Sequence, residues 1–171
     1  MPPGLAIALL TLLAVLLVML GENVLSTHNE RVLRSRGAVE PDGDVFRTMR
    51  LAYPLCFVAM AIEGAVVGPS SLDRLAVGFA VFGVAKALKV WAISSLGVRW
   101  TFRVLVLPGE PLIARGPYAF IRHPNYIAVL GELAGMALIV SAPVTGLLSL
   151  LVFGTLMWRR ISVEDRALGR Q

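Results

Sequence analysis

The chain has 171 residues, of which 57% are hydrophobic, and a formal net charge of +5. A soluble domain is about 45–50% apolar, so this composition, with a mean hydropathy of +0.76, excludes an ordinary soluble fold. The basic balance does not point to nucleic acid, because the arginines fall in short segments between hydrophobic runs, which is the pattern of membrane topology.

The first run covers about residues 3–25. It has no basic segment before it and is too long for the apolar core of a signal peptide. Some 20 apolar residues cross the hydrocarbon, so it reads as a spanning helix. A polar segment follows at about 26–50, broken by Gly37 and by Pro41-Asp42-Gly43-Asp44, and reads as a solvated loop or interfacial helix. The second run is about 51–67; its single cysteine, Cys56, reads as a small hydrophobe that builds neither a disulfide framework nor a metal centre. Gly68-Pro69-Ser70-Ser71 is a turn in which Ser71 is placed to cap the next helix. The third run is about 72–96, and a long connection at 97–125, with Pro108-Gly109 and Gly116-Pro117, cannot be one helix. The fourth run is about 126–141 and the fifth about 144–158, joined by a reversal at Ala142-Pro143 and continued by a polar helix to Leu168. Both look short for independent spans, which fits a packed helical hairpin.

These runs predict an all-α integral membrane protein of about five transmembrane helices in a single domain, residues 1–171. Residues 1–90 supply the N-terminal spans and 91–171 the core of the site. The arginines agree. Arg31, Arg34, Arg36, Arg47 and Arg50 lie between runs one and two; Arg99, Arg103, Arg115 and Arg122 between runs three and four; Arg159, Arg160, Arg166 and Arg170 at the C-terminus. Only Arg74 falls on the other side. Five spans bring the three basic segments to one face, which the positive-inside rule makes cytoplasmic, with the N-terminus outside and the C-terminus inside.

Charged residues fall inside the hydrophobic runs, among them Glu63 in the second, Lys86 and Lys89 in the third and Glu132 in the fourth. A charge at the bilayer centre costs at least about 2.5–3.5 kcal/mol on insertion scales, and such groups face the bundle interior with partners. The expected pairing is Glu63 with Lys86 or Lys89, either as a structural ion pair or as the lining of a polar cavity. Lys89, near Trp91, has the alternative of snorkelling to the interface.

The stretch with most chemistry is Gly116-Pro117-Tyr118-Ala119-Phe120-Ile121-Arg122-His123-Pro124-Asn125-Tyr126. Two X-Pro steps make the backbone irregular but stiff, which is tolerated at a membrane boundary where it lines a cavity. A second polar cluster, Arg160 and Glu164, is spaced four apart on one helix face. A tight hairpin of the last two helices brings both clusters to the same membrane face.

From Trp91 to Leu168 the chain resembles the isoprenylcysteine carboxyl methyltransferase family. The matching pieces are Trp91, Leu96-Gly97, Trp100-Thr101, Leu112-Ile113, Gly116-Pro117-Tyr118, Arg122-His123-Pro124-Asn125-Tyr126, Arg160 and the pair Glu164-Asp165. Gly37-Ala38-Val39-Glu40 and Leu88-Lys89-Val90-Trp91 are similar to a bacterial subgroup that O-methylates alkylpyrones and phenolic lipids. The resemblance implies an S-adenosylmethionine pocket at the cytoplasmic face of a bacterial-type inner or plasma membrane. Tyr118, His123, Pro124, Asn125 and Tyr126 would line it, and Glu110, Pro111, Leu112 and Ile113 would form its other wall. Glu164 would hold the cofactor's amino end, and Arg160 would act on the acceptor. The acceptor would be a lipophilic or prenylated molecule reached from the membrane lipids, with an anionic oxygen that takes the methyl group. The family usually has two glutamates where this chain has Glu164-Asp165, and the aspartate is one methylene shorter. Two other readings stand beside it. Membrane sterol and enone reductases that use NADPH share a similar Arg-His-Pro-Asn-Tyr segment, and a non-enzymatic scaffold or small transporter would also carry charges inside its helices.

Overall fold

A computed structural model describes residues 3–169; Arg170, counted above among the C-terminal arginines, lies outside the described residues. The described residues form five α-helices: α1 (Pro3–Ser35), α2 (Phe46–Val67), α3 (Leu72–Leu96), α4 (Pro124–Ile139) and α5 (Pro143–Ala167). Two short 3-10 turns, Gly97–Arg99 and Gly116–Ala119, lie in the long connection. Four of the helices are long and apolar enough to cross a membrane, and α4 is shorter. Their outward flanks carry exposed apolar side chains, such as Leu10 at 66%, Leu17 at 60%, Val84 at 71% and Leu151 at 59%. Such faces are stable only against lipid or another apolar surface.

Three helices differ in extent from their hydrophobic runs. α1 does not stop near Leu25, because no breaker stands before Gly37. Its polar turns are tolerated, Thr27 bonding back to the Asn23 carbonyl, and Gly37, at φ +87°, ends it. Thirty-three residues make a helix of about 50 Å, so its last turns stand clear of a hydrocarbon layer about 30 Å thick. α2 starts five residues before its apolar run and contains Pro54. α5 is one continuous helix of 25 residues, so only α4, with 16, is short for a span.

α4 is the packing centre. Its contact with α3 is made backbone to backbone: a Cβ on Gly135 would stand 2.7 Å from the Phe82 nitrogen, and one on Gly78 would stand 2.8 Å from the Ile139 nitrogen. Small residues at a helix seam allow this approach and its dispersion gain. Below the seam, Leu133, Met136, Phe57, Met60 and Phe153 form a fully enclosed core. α4 turns into α5 through Ser141, at φ +56°; its hydroxyl is 2.6 Å from that of Ser70, which donates to the Leu138 carbonyl at 2.7 Å. Ser71 caps α3, accepting from the Arg74 amide.

The expected pairing of Glu63 with a lysine of α3 does not form. Glu63 instead accepts from the amides of Val144 at 3.0 Å and Thr145 at 2.7 Å, so it satisfies the open N-terminus of α5, where a carboxylate also meets the favourable end of the helix dipole. The lysines find other partners. Lys86 lies 2.8 Å from Glu22 and 3.0 Å from Glu132, and Lys89 lies 2.7 Å and 3.3 Å from the same two carboxylates. Lys89 is 2% exposed and therefore does not snorkel to the interface. This quartet ties α1, α3 and α4 together, and α2 joins it through the Tyr53 hydroxyl, which donates to Glu132.

Candidate active site

The arginine-rich end of the bundle is built from the two long connections. Asn29, near the end of α1, donates to the carbonyls of Gly97 at 3.3 Å and Trp100 at 2.8 Å, and Ser26 accepts from the Phe102 amide at 2.8 Å. Val39 and Val106 pair in a single antiparallel bridge. Glu40 accepts from Arg34 and Arg103; burial works against its charge, but these hydrogen bonds outweigh it and hold the carboxyl below the usual range. Asp44 accepts from the amides of Phe46 and Val104, both at 3.1 Å. The α1–α2 and α3–α4 connections are thereby stitched across the end of α5.

Beneath them lies a cavity of about 430 Å³. At its mouth, Tyr126 holds the centre: its hydroxyl donates to Glu164 at 2.6 Å and accepts from Arg160 Nε at 3.0 Å. Arg160 is 6% exposed. It also donates to the Phe102 carbonyl, and its Nη1 lies 3.5 Å from Asp44 and 3.8 Å from Met49 Sδ. The His123 ring stacks on Tyr126 at 5.3 Å between centroids. Its Nδ1 is 3.7 Å from Glu164 and its Nε2 is 3.3 Å from Asp165. Trp100 donates to Asn125 at 3.4 Å. Tyr118 completes the rim, its phenol pushed up by burial and by the carboxylate of Glu164. Gly116 sets the turn that delivers Tyr118: at φ +60°, with Ser95 Oγ 2.0 Å from where a Cβ would be, only glycine fits.

Tyr118, His123, Asn125, Tyr126, Arg160 and Glu164 therefore share one cavity. Pro124 is buried as the first residue of α4 and fixes the helix start. Glu110, Pro111, Leu112 and Ile113 stand apart. Glu110 is exposed and pairs with Arg99, and the Pro111 carbonyl accepts from the same guanidinium at 2.6 Å. Leu112 is exposed, and Glu110 and Ile113 line a separate surface recess with Arg36, Arg99 and Arg115.

Residues outside the predicted site set also line the cavity or brace its side chains. Asp44, 3% exposed, holds Arg160 from a loop 116 positions earlier in the chain. Trp100 and Phe102 reach the site from the connection after α3. Deeper, the lining includes Tyr53, Lys89 and Glu22, then Leu16, Met19, Leu20 and Pro54 on the α1 and α2 flanks. A carboxylate inside the otherwise apolar first run was the available signal for Glu22.

Helices with lipid-type flanks around a cavity lined by polar and apolar side chains define a helical membrane protein with an internal cavity. Residues 76–170 match the model of the isoprenylcysteine carboxyl methyltransferase family. The chain is 31% identical over 160 residues to the uncharacterised protein YpbQ of Bacillus subtilis, covering 92% of this chain and 94% of that one. It is 26% identical over 145 residues, 84% of each chain, to an uncharacterised protein of Haemophilus influenzae. No solved structure matches. The chain belongs to the isoprenylcysteine carboxyl methyltransferase family of membrane methyltransferases.

Proposed function

We propose that the protein moves a methyl group from S-adenosylmethionine to an oxygen of a lipophilic acceptor, an isoprenylcysteine-type carboxylate or an acidic enol or phenol. The observation that carries this reading is the meeting of Arg160 and Glu164 on the Tyr126 hydroxyl, which sets a cation and an anion side by side in a cavity flanked by lipid-facing helices.

The residues present suit such a cofactor. A volume of about 430 Å³ falls within the usual range for small-molecule sites. Glu164 offers a carboxylate to a cationic amino acid and sulfonium, and His123, Tyr126, Tyr118 and Trp100 offer flat faces to a base. When bound, the cofactor supplies a methyl group on positively charged sulfur. The chain's own part is positioning, which can account for much of the rate of an in-line displacement. Glu164 balances the donor's charge at the mouth, and Arg160 holds the acceptor's anion by charge-assisted hydrogen bonds. Asp44, Phe102 and Tyr126 fix the Arg160 fork, and the apolar walls exclude water. An acceptor that is already ionised needs no general base.

Calorimetric titration of the purified protein in detergent tests this reading. Heat is expected with S-adenosylmethionine and none with NADPH; binding of NADPH alone would favour the reductase reading and overturn this one. We also infer that the arginine-rich end is cytoplasmic, with the N-terminus outside, from the excess of arginine there. Cysteines at Ser35, Ala114 and Arg166, placed one at a time, should all be reached by a membrane-impermeant thiol reagent only in inside-out vesicles. Labelling of any of the three from outside contradicts the orientation.

A further inference from the structure

Outside the cavity, the arginine-rich end carries a second concave feature that methyl transfer leaves unused. Arg36, Arg99 and Arg115 line this recess together with Glu110, Leu96 and Ile113. Three guanidiniums against one carboxylate leave an excess of positive charge at one spot. The fold holds that excess in place. Arg115 Nε donates to the Ser95 carbonyl at 2.9 Å, one of the last carbonyls of α3, which the helix itself leaves open. Arg99 donates through Nη1 to the Pro111 carbonyl at 2.6 Å and through Nη2 to Glu110. Both side chains are anchored before any ligand arrives, so an anion that binds them does not have to order them. Among the described residues, the Arg36 side chain makes no hydrogen bond or ion pair, and Arg115 makes none through its Nη atoms.

Depth and surroundings identify the anion. The 25 residues of α3 make about 37 Å of helix, against a hydrocarbon layer about 30 Å thick and about 40–45 Å with its headgroups. Leu96, the last residue of α3, therefore brings the recess to headgroup level. Trp91, one turn earlier and 49% exposed, is an indole of the kind that settles at that interface. The connection that carries Glu110, Ile113 and Arg115 also exposes Leu112 at 45% and Phe120 at 84%. A soluble phosphate has no use for these apolar side chains. A phospholipid has a phosphate for the arginines and acyl chains for the rest. A zwitterionic headgroup would bring a second cation beside the guanidiniums, whereas an anionic one does not.

We propose that Arg36, Arg99 and Arg115 hold the phosphate of an anionic phospholipid from the leaflet at the arginine-rich end, by the charge-assisted, paired hydrogen bonds that guanidinium makes to phosphate. Arg36 follows α1, Arg99 follows α3, and Arg115 precedes the turn that delivers Tyr118. A lipid bound to all three ties these segments together beside the rim of the cavity.

The test uses the full chain with Trp158→Phe, which removes the exposed indole of α5. Trp91 then reports on the recess: its Nε1 stands 3.2 Å from where a Cβ on Gly116 would be, whereas Trp100 is 2% exposed. In phosphatidylcholine vesicles, brominated phosphatidylglycerol should quench Trp91 at a mole fraction at least about fivefold lower than brominated phosphatidylcholine, the preference that one arginine at a membrane surface provides. Arg36→Gln with Arg115→Gln should lose most of that preference. Arg159→Gln with Arg166→Gln removes the same charge from the same end, outside the recess, and should keep it. Arg36→Gln alone breaks no side-chain contact among the described residues, and should show a partial loss even where the double variant fails to fold. Equal quenching by the two lipids in the parent protein overturns the proposal. Equal loss in both double variants also overturns it, because general surface charge then accounts for the preference. Release of quenching by glycerol phosphate, and not by chloride at the same ionic strength, assigns the recess to a soluble phosphate and overturns the lipid. These outcomes are independent of S-adenosylmethionine, so the methyltransferase reading stands or falls separately.

Discussion

The two polar clusters of this protein use the same residue types in opposite ways. In the deep quartet, each lysine meets both glutamates, charges balance, and three of the four side chains are at most 10% exposed. At the mouth, Glu164 retains 28% exposure, and Arg160 and Glu164 do not pair directly but share the hydroxyl of Tyr126. The first arrangement balances its charges internally and holds helices together; the second leaves its two charges unpaired with each other at the cavity. Spacing of four on one helix would ordinarily yield a local ion pair. Tyr126, brought from α4, separates the two charges and directs them to different tasks.

The comparison breaks most sharply at Glu132. Glu132→Gln leaves two lysines against one carboxylate in the bundle interior, and removing one partner from a buried ionic network costs about 3–5 kcal/mol. The expected result is a large fall in the melting temperature in detergent; a melting temperature within a few degrees of wild type would mean that water solvates the quartet and that its charges do not hold the helices. A smaller effect is expected at the mouth. Glu164→Gln keeps size and polarity but removes the charge, and should weaken S-adenosylmethionine binding by about 1.5–3 kcal/mol, the range for a hydrogen bond to a charged group, with little change in melting temperature. The smallest effect on cofactor affinity belongs to Arg160→Lys. It keeps the charge but loses the fork that reaches Tyr126, Phe102 and Asp44 together, so acceptor turnover should fall while the calorimetric affinity for cofactor stays nearly constant. Loss of cofactor binding in Arg160→Lys with retention in Glu164→Gln would reverse the roles.

The error over Glu63 shows what a list of intramembrane charges omits. Glu63 is four residues from the end of α2, about 6 Å from the turn that leads into α3. Lys86 and Lys89 are 14 and 17 residues into α3, about 21 and 26 Å from the same turn. The three charges are far apart in depth, although the helices are neighbours in sequence. Glu22, 19 residues into α1 and about 28 Å along it, lies near the level of the lysines. Counting residues from helix ends therefore favours Glu22 over Glu63, but only once α1 is placed beside α3.

Hydrophobic run length determined by itself that this is a helical membrane protein, since about 20 apolar residues have no other stable setting. The alternation of arginines told which connections share an end, and the segment from Gly116 to Tyr126, with Arg160 and Glu164, marked the rim of the cavity because its prolines and glycine admit few backbone conformations. Tertiary structure alone decided the remainder. Trp100, Tyr53 and Glu22 reach the cavity from three other parts of the chain, Asp44 holds Arg160 from the loop after α1, and their roles depend on which helix faces which. That choice is made by close packing at Gly78, Gly131 and Gly135, where α3 and α4 meet. The register of that seam sets the depth of Glu132 against Lys86 and Lys89, and a distance set by packing between helices has no periodicity along a single chain from which it can be read.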